Sequence, residues 1–150
     1  MSILDSGSRH EFKSGAVRDV QVGKGRCDLM PLDVVAELTT DTILGCIHAF
    51  QQTSKTEYLY RALSYFARRY DSVYDMLLEV AIHFEEGSKK YGPDNWRRGI
   101  PWNRYVDSAV RHYWKWLRGD DDENHDRAFV WNIMCLIWTV ENCVEVTDNV

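Results

Sequence analysis

Apolar positions recur along the chain with a helical period and not with the two-residue period of a strand. In "DLMPLDVVAEL", Leu32, Val34, Val35 and Leu38 follow Pro31, a residue tolerated in a first helical turn. "TTDTILGCIHAFQQ" predicts a second short helix capped by a Thr or Asp, and "KTEYLYRALSYFARRY" a third with Leu59, Leu63 and Phe66 on one face. Longer helices are predicted over about 71 to 90, 103 to 118 and 122 to 142. No alternating Val/Ile/Thr run predicts a strand, so the class is all-α, a helical bundle. Residues 1–25 are rich in Ser, Gly and charge with no sustained apolar period. They predict a short, irregular and flexible N-terminal arm ahead of a single domain over 26–150.

At 150 residues and 45% hydrophobic content, the chain can bury one core. Its net charge of −5 argues against nonspecific binding to nucleic acid polymers or anionic membranes, which rests on a basic surface. A small phosphorylated ligand needs only a local cluster of cations. Cys27, Cys46, Cys135 and Cys143 stand singly with no CxxC pair, which predicts reduced thiols and no zinc site. The longest apolar run, "FVWNIMCLIWTV", falls short of the ~20 residues of a membrane span, and no charged-then-apolar leader opens the chain. A soluble, cytoplasmic protein is expected.

Candidate chemistry concentrates on the three long segments. Over 71 to 90, Glu79, His83, Glu86 and Lys90 fall within about 60° of one another, beside an apolar arc of Val73, Met76, Leu77, Val80 and Phe84. Such a stripe is either a solvated face or a set of ligands for a hard divalent cation. Over 103 to 118, Asp107, Arg111, Trp114 and Arg118 share one side, and Tyr105, Ala109, His112 and Trp116 another. Asp107 and Arg111 read as a helix ion pair, and His112 as a core histidine or a catalytic one. The last segment carries Asp122, His125 and Asn132 within about 80° on an otherwise apolar helix. Either they face a cleft, or Asp121 or Asp122 caps the helix with His125 at the surface.

The motifs "GKGRCDLMPLDVVAEL", "EEGSKKYGPDNWRRGIP", "DSAVRHYWKWLRGD" and "DENHDRAFVWN", in that order, resemble the small phage and prophage proteins named dATP/dGTP diphosphohydrolase. The resemblance covers roughly residues 10 to 142. That family is similar to the all-α nucleoside triphosphate pyrophosphohydrolases of the MazG type, which bind magnesium or manganese through acids on two antiparallel helices. The resemblance implies metal-dependent hydrolysis of dATP or dGTP to the monophosphate and pyrophosphate, with Mg2+ or Mn2+ as cofactor. It implies metal ligands among Glu79, His83, Glu86, Asp122, Glu123 and His125, with Glu79, Glu86 and His112 catalytic. Phosphate contacts are expected from Lys89, Lys90, Arg97, Arg98 and Arg111, and base contacts from Tyr91, Asn95 and Trp96, with Asn132 also nucleotide-binding.

The helix over 71 to 90 departs from the usual Glu-x-x-Glu, with no two glutamates three apart, while Glu123 and Asp126 keep a Glu-x-x-Asp. That departure leaves open a noncatalytic protein that sequesters a nucleotide or nucleotide signal. An interaction module, with Trp114, Trp116, Trp131 and Trp138 in a dimer core, is a third reading. A homo-oligomer, a dimer or a higher even assembly, is expected.

Overall fold

The structure, a computed structural model, describes residues 7–147; residues 1–6 of the expected arm and 148–150 of the expected domain lie outside it. Among the described residues six helices follow one another: α1 (Leu32–Thr39), α2 (Thr42–Thr53), α3 (Glu57–Ala67), α4 (Val73–Tyr91), α5 (Trp102–Arg118) and α6 (His125–Asn142). The class is all-α, and each helix falls on a segment whose periodicity predicted it. Local chemistry sets the boundaries. The Asp41 carboxylate accepts from the Ile43 and Leu44 amides at the start of α2, and Ser72 accepts from Tyr74 at the start of α4. Gly119, at φ 90°, closes α5 with bonds to the carbonyls of Lys115 and Trp116, a conformation in which a side chain would be strained.

α5 and α6 form the most extensive helix pair, joined through Gly119 and a short acidic turn. α4 and α3 lie against α6, and α1 and α2 pack in sequence beside α3. Phe66 sits at the centre of an aromatic cluster, with Phe129 at 4.7 Å, Trp116 at 5.2 Å and Tyr113 at 6.2 Å between ring centres. Fully buried Tyr105, Tyr113, Phe129, Ile133 and Leu136 show why α5 and α6 carry so many large side chains: they are the core's central layer.

Two expectations change in the N-terminal segment. A small antiparallel hairpin is present, β1 (Arg9–Glu11) with β2 (Val17–Asp19), Arg9 opposite Asp19 and Glu11 opposite Val17. Each strand has only three residues, too few for an alternating pattern, and an isolated pair of that size is marginal in water. Tertiary burial holds it: Phe12 is 3% exposed and Ala16 fully covered, both in the main core. The described part of the expected flexible arm is therefore packed on the bundle.

Candidate functional site

A cleft of about 860 Å³ opens between residues 17–27, α4, α5 and α6. Its first wall is the N-terminal segment, and the bundle fixes that wall by four anchors. The Asn95 side chain accepts from the Val17 amide at 2.7 Å and donates to the Val17 carbonyl at 2.8 Å. Arg18 donates to Asn132 Oδ1 at 3.1 Å and to Ser108 Oγ at 3.2 Å, with its guanidinium over the Trp131 and Tyr105 rings. Asp19 accepts from Tyr91 at 2.8 Å and Lys90 at 3.2 Å. Asp107, buried on α5, accepts from Gln21 at 2.7 Å, the Cys27 amide at 2.6 Å and Arg111 at 2.5 Å.

Charge lining the cleft is predominantly positive although the chain is acidic overall. Arg18, Lys24, Lys90, Arg104, Arg111, Lys115 and Arg118 all line it. Burial, aided by the charges of Arg18, Arg26 and Arg111, pulls Arg104 down to about 10. Burial also lowers Lys24, with Arg111, Arg18 and Arg104 adding repulsion that Asp19 only partly offsets. Burial raises the Asp19 and Asp107 carboxyls, but hydrogen bonds from Tyr91 and Lys90 to the first, and from Arg111 and Gln21 to the second, outweigh it and hold both below the usual range. Cations that destabilise one another in a partly dry cleft are relieved by a polyanion.

The opposite end carries a carboxylate and imidazole relay. Asp122 accepts from His125 Nε2 at 2.7 Å, and His125 Nδ1 meets His112 Nδ1 at 2.9 Å. One of those two Nδ1 atoms donates and the other accepts. The bond from His125 holds Asp122 below its usual range. Burial, and next the charge of His125, holds His112 well below 6.5, so it is neutral at pH 7. His125 is buried and not at the surface, and α6 begins at His125 with no side-chain cap, which sets aside capping by Asp121 or Asp122.

Of the residues expected from sequence, His83, Lys90, Tyr91, Asn95, Arg111, His112, Asp122, Glu123 and Asn132 line the cleft. Others lie elsewhere. Glu79 accepts from Arg127 Nε at 2.7 Å on the α4 and α6 surface, so its carboxylate is taken by a guanidinium. Glu86 lies outside the cleft lining, as do Lys89, which pairs with Glu85 at 3.6 Å, and Arg98, which donates to the Gly15 carbonyl. Trp96 packs edge-on against Trp138 at 5.1 Å and Phe84 at 5.8 Å, with Arg97 over its ring, and so serves the core. Asn95 is 7% exposed and both ends of its amide bind Val17, which leaves neither for a base. His83 packs near Trp131, and burial lowers it to about 4.

Arg18, Lys24, Arg104, Lys115 and Trp131 also line the cleft, which no local pattern in the sequence predicted. For Arg18 and Lys24 the signal was compositional: cations between glycines in a segment lacking a hydrophobic period.

Two ligand clusters could hold a divalent ion: His112 with Glu123 and His125, and Asp120 with Asp122 and His125, in each of which the donor atoms lie within 4.8 Å of one another. Oxygen donors beside imidazole suit Mg2+ or Mn2+. Both nitrogens of His125 are already hydrogen-bonded, which leaves the carboxylates, Glu123 in the first cluster and Asp120 and Asp122 in the second, as the oxygen donors, with His125 orienting Asp122 from behind. Among the described residues the four cysteines are free thiols, and none stands in either cluster.

Fold and cleft together define an all-α protein with a cation-lined cleft beside a carboxylate and histidine cluster. The chain belongs to the family described as dATP/dGTP diphosphohydrolase, N-terminal, whose model matches residues 52–149. That is a family of hydrolases acting on triphosphates. No curated protein and no solved structure matches the chain. Among the described residues no helix is long and apolar enough to cross a membrane.

Proposed function

We propose that the protein hydrolyses dATP and dGTP to the deoxynucleoside monophosphate and pyrophosphate, with Mg2+ or Mn2+ held by Asp122 and Glu123. The observation that carries this reading is the meeting, in one cleft, of mutually repelling cations with the Asp122, His125 and His112 relay. Arg111, Arg104 and Lys24 bind the phosphate chain, and the base stacks on Trp114, which lines the cleft. With Asp122 accepting the His125 Nε2 proton, His125 Nδ1 accepts from His112 Nδ1, and His112 keeps a lone pair on Nε2. Water attacks the α-phosphorus and gives its proton to that nitrogen while the α–β bridging P–O bond breaks. Arg111 and Arg104 stabilise the charge gathering on the departing pyrophosphate. The bound ion supplies neutralisation of phosphate charge and acidifies the attacking water.

Engagement of Glu79 by Arg127 supports a second reading, a protein that binds the nucleotide without turnover. Calorimetry and turnover on wild type and Asp122→Asn/Glu123→Gln separate the two. The hydrolytic reading expects the double variant to bind a nonhydrolysable dGTP analogue in chelator as wild type does, while losing turnover at least about a hundred-fold. Wild-type binding without any product would instead establish the sequestering reading.

A further inference from the structure

The family match begins at residue 52, yet two of the cations that line the cleft, Arg18 and Lys24, come from residues 17–27. Within that segment the side chains divide into two kinds. Arg18, Asp19 and Gln21 are engaged by α4, α5 and α6, and with the Asn95 clamp they fix the segment in place. Lys24 differs: among the described residues, no hydrogen-bond or ion-pair partner of its ammonium is present, although Arg18, Arg104 and Arg111 around it each bind protein acceptors. Its backbone closes a turn, Lys24 N–H to the Gln21 carbonyl at 3.2 Å. Gly23 and Gly25 on either side have φ of 84° and 86°. A Cβ at either would meet nothing within 4 Å, so handedness of the turn and not packing requires glycine there. The turn thus carries an unengaged ammonium into the cleft on a fixed base.

The α5 wall joins the two ends of the cleft: His112 meets His125 of the relay at 2.9 Å, and its neighbour Arg111 donates to the Gly25 carbonyl, next to Lys24, at 2.6 Å. A phosphate chain whose reacting phosphorus lies at His112 therefore extends toward the N-terminal segment.

We propose that residues 17–27 form the polyphosphate-binding arm of the site, and that Lys24 at its tip selects ligands by phosphate number by holding the phosphate farthest from the base. This rests on the nucleotide-hydrolase reading for the direction of the ligand. The cation geometry applies equally to a chain of phosphates with no base attached.

The test is isothermal calorimetry of dGMP, dGDP, a nonhydrolysable dGTP analogue and inorganic tripolyphosphate on wild type, Lys24→Ala and Lys24→Arg, with turnover of dGTP followed separately. Wild-type affinity rises with phosphate number. Lys24→Ala loses about ten-fold for the triphosphate and for tripolyphosphate, with dGMP changed by less than about two-fold, and Lys24→Arg recovers most of the loss. A uniform loss across mono-, di- and triphosphate, no change for any of them, or a wild type that binds none of the four overturns the proposal. Should the selective loss appear in a protein that turns over no nucleotide, the arm stands and the hydrolytic reading falls. Should dGTP be hydrolysed while Lys24→Ala alters no step of the series, the hydrolytic reading stands and the arm falls.

Discussion

Replacing Asn95 by Ala removes both hydrogen bonds that pin Val17, and the expected consequence is detachment of the N-terminal segment with the bundle intact. The deleted bonds are 2.7 and 2.8 Å long and sit at a residue 7% exposed, so neither Val17 group is easily rescued by water in place. Each unpaired buried group costs about 1–3 kcal/mol, which gives about 2–6 kcal/mol if the segment stays docked. Undocking avoids that cost but exposes Phe12, worth about 1.5–3 kcal/mol, and frees Arg18 from Asn132 and Ser108. The two outcomes are close enough in free energy for the segment to open a substantial fraction of the time. Hydrogen exchange should show amides of residues 9–19 losing protection by about ten-fold or more, with α5 and α6 unchanged. Affinity for a dGTP analogue should fall in parallel, because Arg18 and Lys24 travel with the segment. Full retention of protection at residues 9–19, with affinity unaltered, would refute the view that Asn95 is the clamp of the first wall.

Trp96→Ala should lower stability by about 3 kcal/mol in urea unfolding and leave nucleotide affinity within about two-fold, since its ring meets Trp138 and Phe84 and not the cleft; an affinity loss without a stability loss would place the indole on the ligand. Glu79→Gln should leave turnover unchanged and cost about 1 kcal/mol or less, the half-exposed pair with Arg127 being all it loses; a collapse of turnover would return Glu79 to the site. His83 is lowered from 6.5 to about 4, so the unfolded chain takes up its proton first on acidification, and stability declines by up to about 1.4 kcal/mol per pH unit from 6.5 down to about 4, below which the contribution levels off. Urea midpoints of wild type and His83→Gln should therefore diverge across that window, and parallel curves would show that His83 protonates freely in the folded protein.

The helices were legible because each buries one stripe, as Leu59, Leu63 and Phe66 do on α3, and burial of a stripe imposes the 3.6-residue period on sequence. The ionic face of α5 was legible for the same reason: Asp107, Arg111, Trp114 and Arg118 share a side and all four reach the cleft. The N-terminal wall was not. Its anchors join residues more than seventy positions apart, such as Val17 with Asn95 and Cys27 with Asp107, and a local period cannot report them. The α4 stripe misled because a carboxylate at the right angle, Glu79, met a guanidinium of α6 before it could meet a metal. The opening turn after α4 misled similarly: Asn95 and Trp96 combine polar and aromatic chemistry suited to a base, but the backbone of Val17 and the rings of Phe84 and Trp138 claim them.

The most direct measurement is phosphorus NMR of the products formed from dGTP and from dATP, with Mg2+ or Mn2+ and again with excess chelator. Cleavage at the α–β linkage expects equal amounts of deoxynucleoside monophosphate and pyrophosphate, no diphosphate and no orthophosphate, and no product in chelator. Orthophosphate with the nucleoside diphosphate, unaltered rates in chelator, or intact triphosphate after prolonged incubation would contradict the proposed reaction.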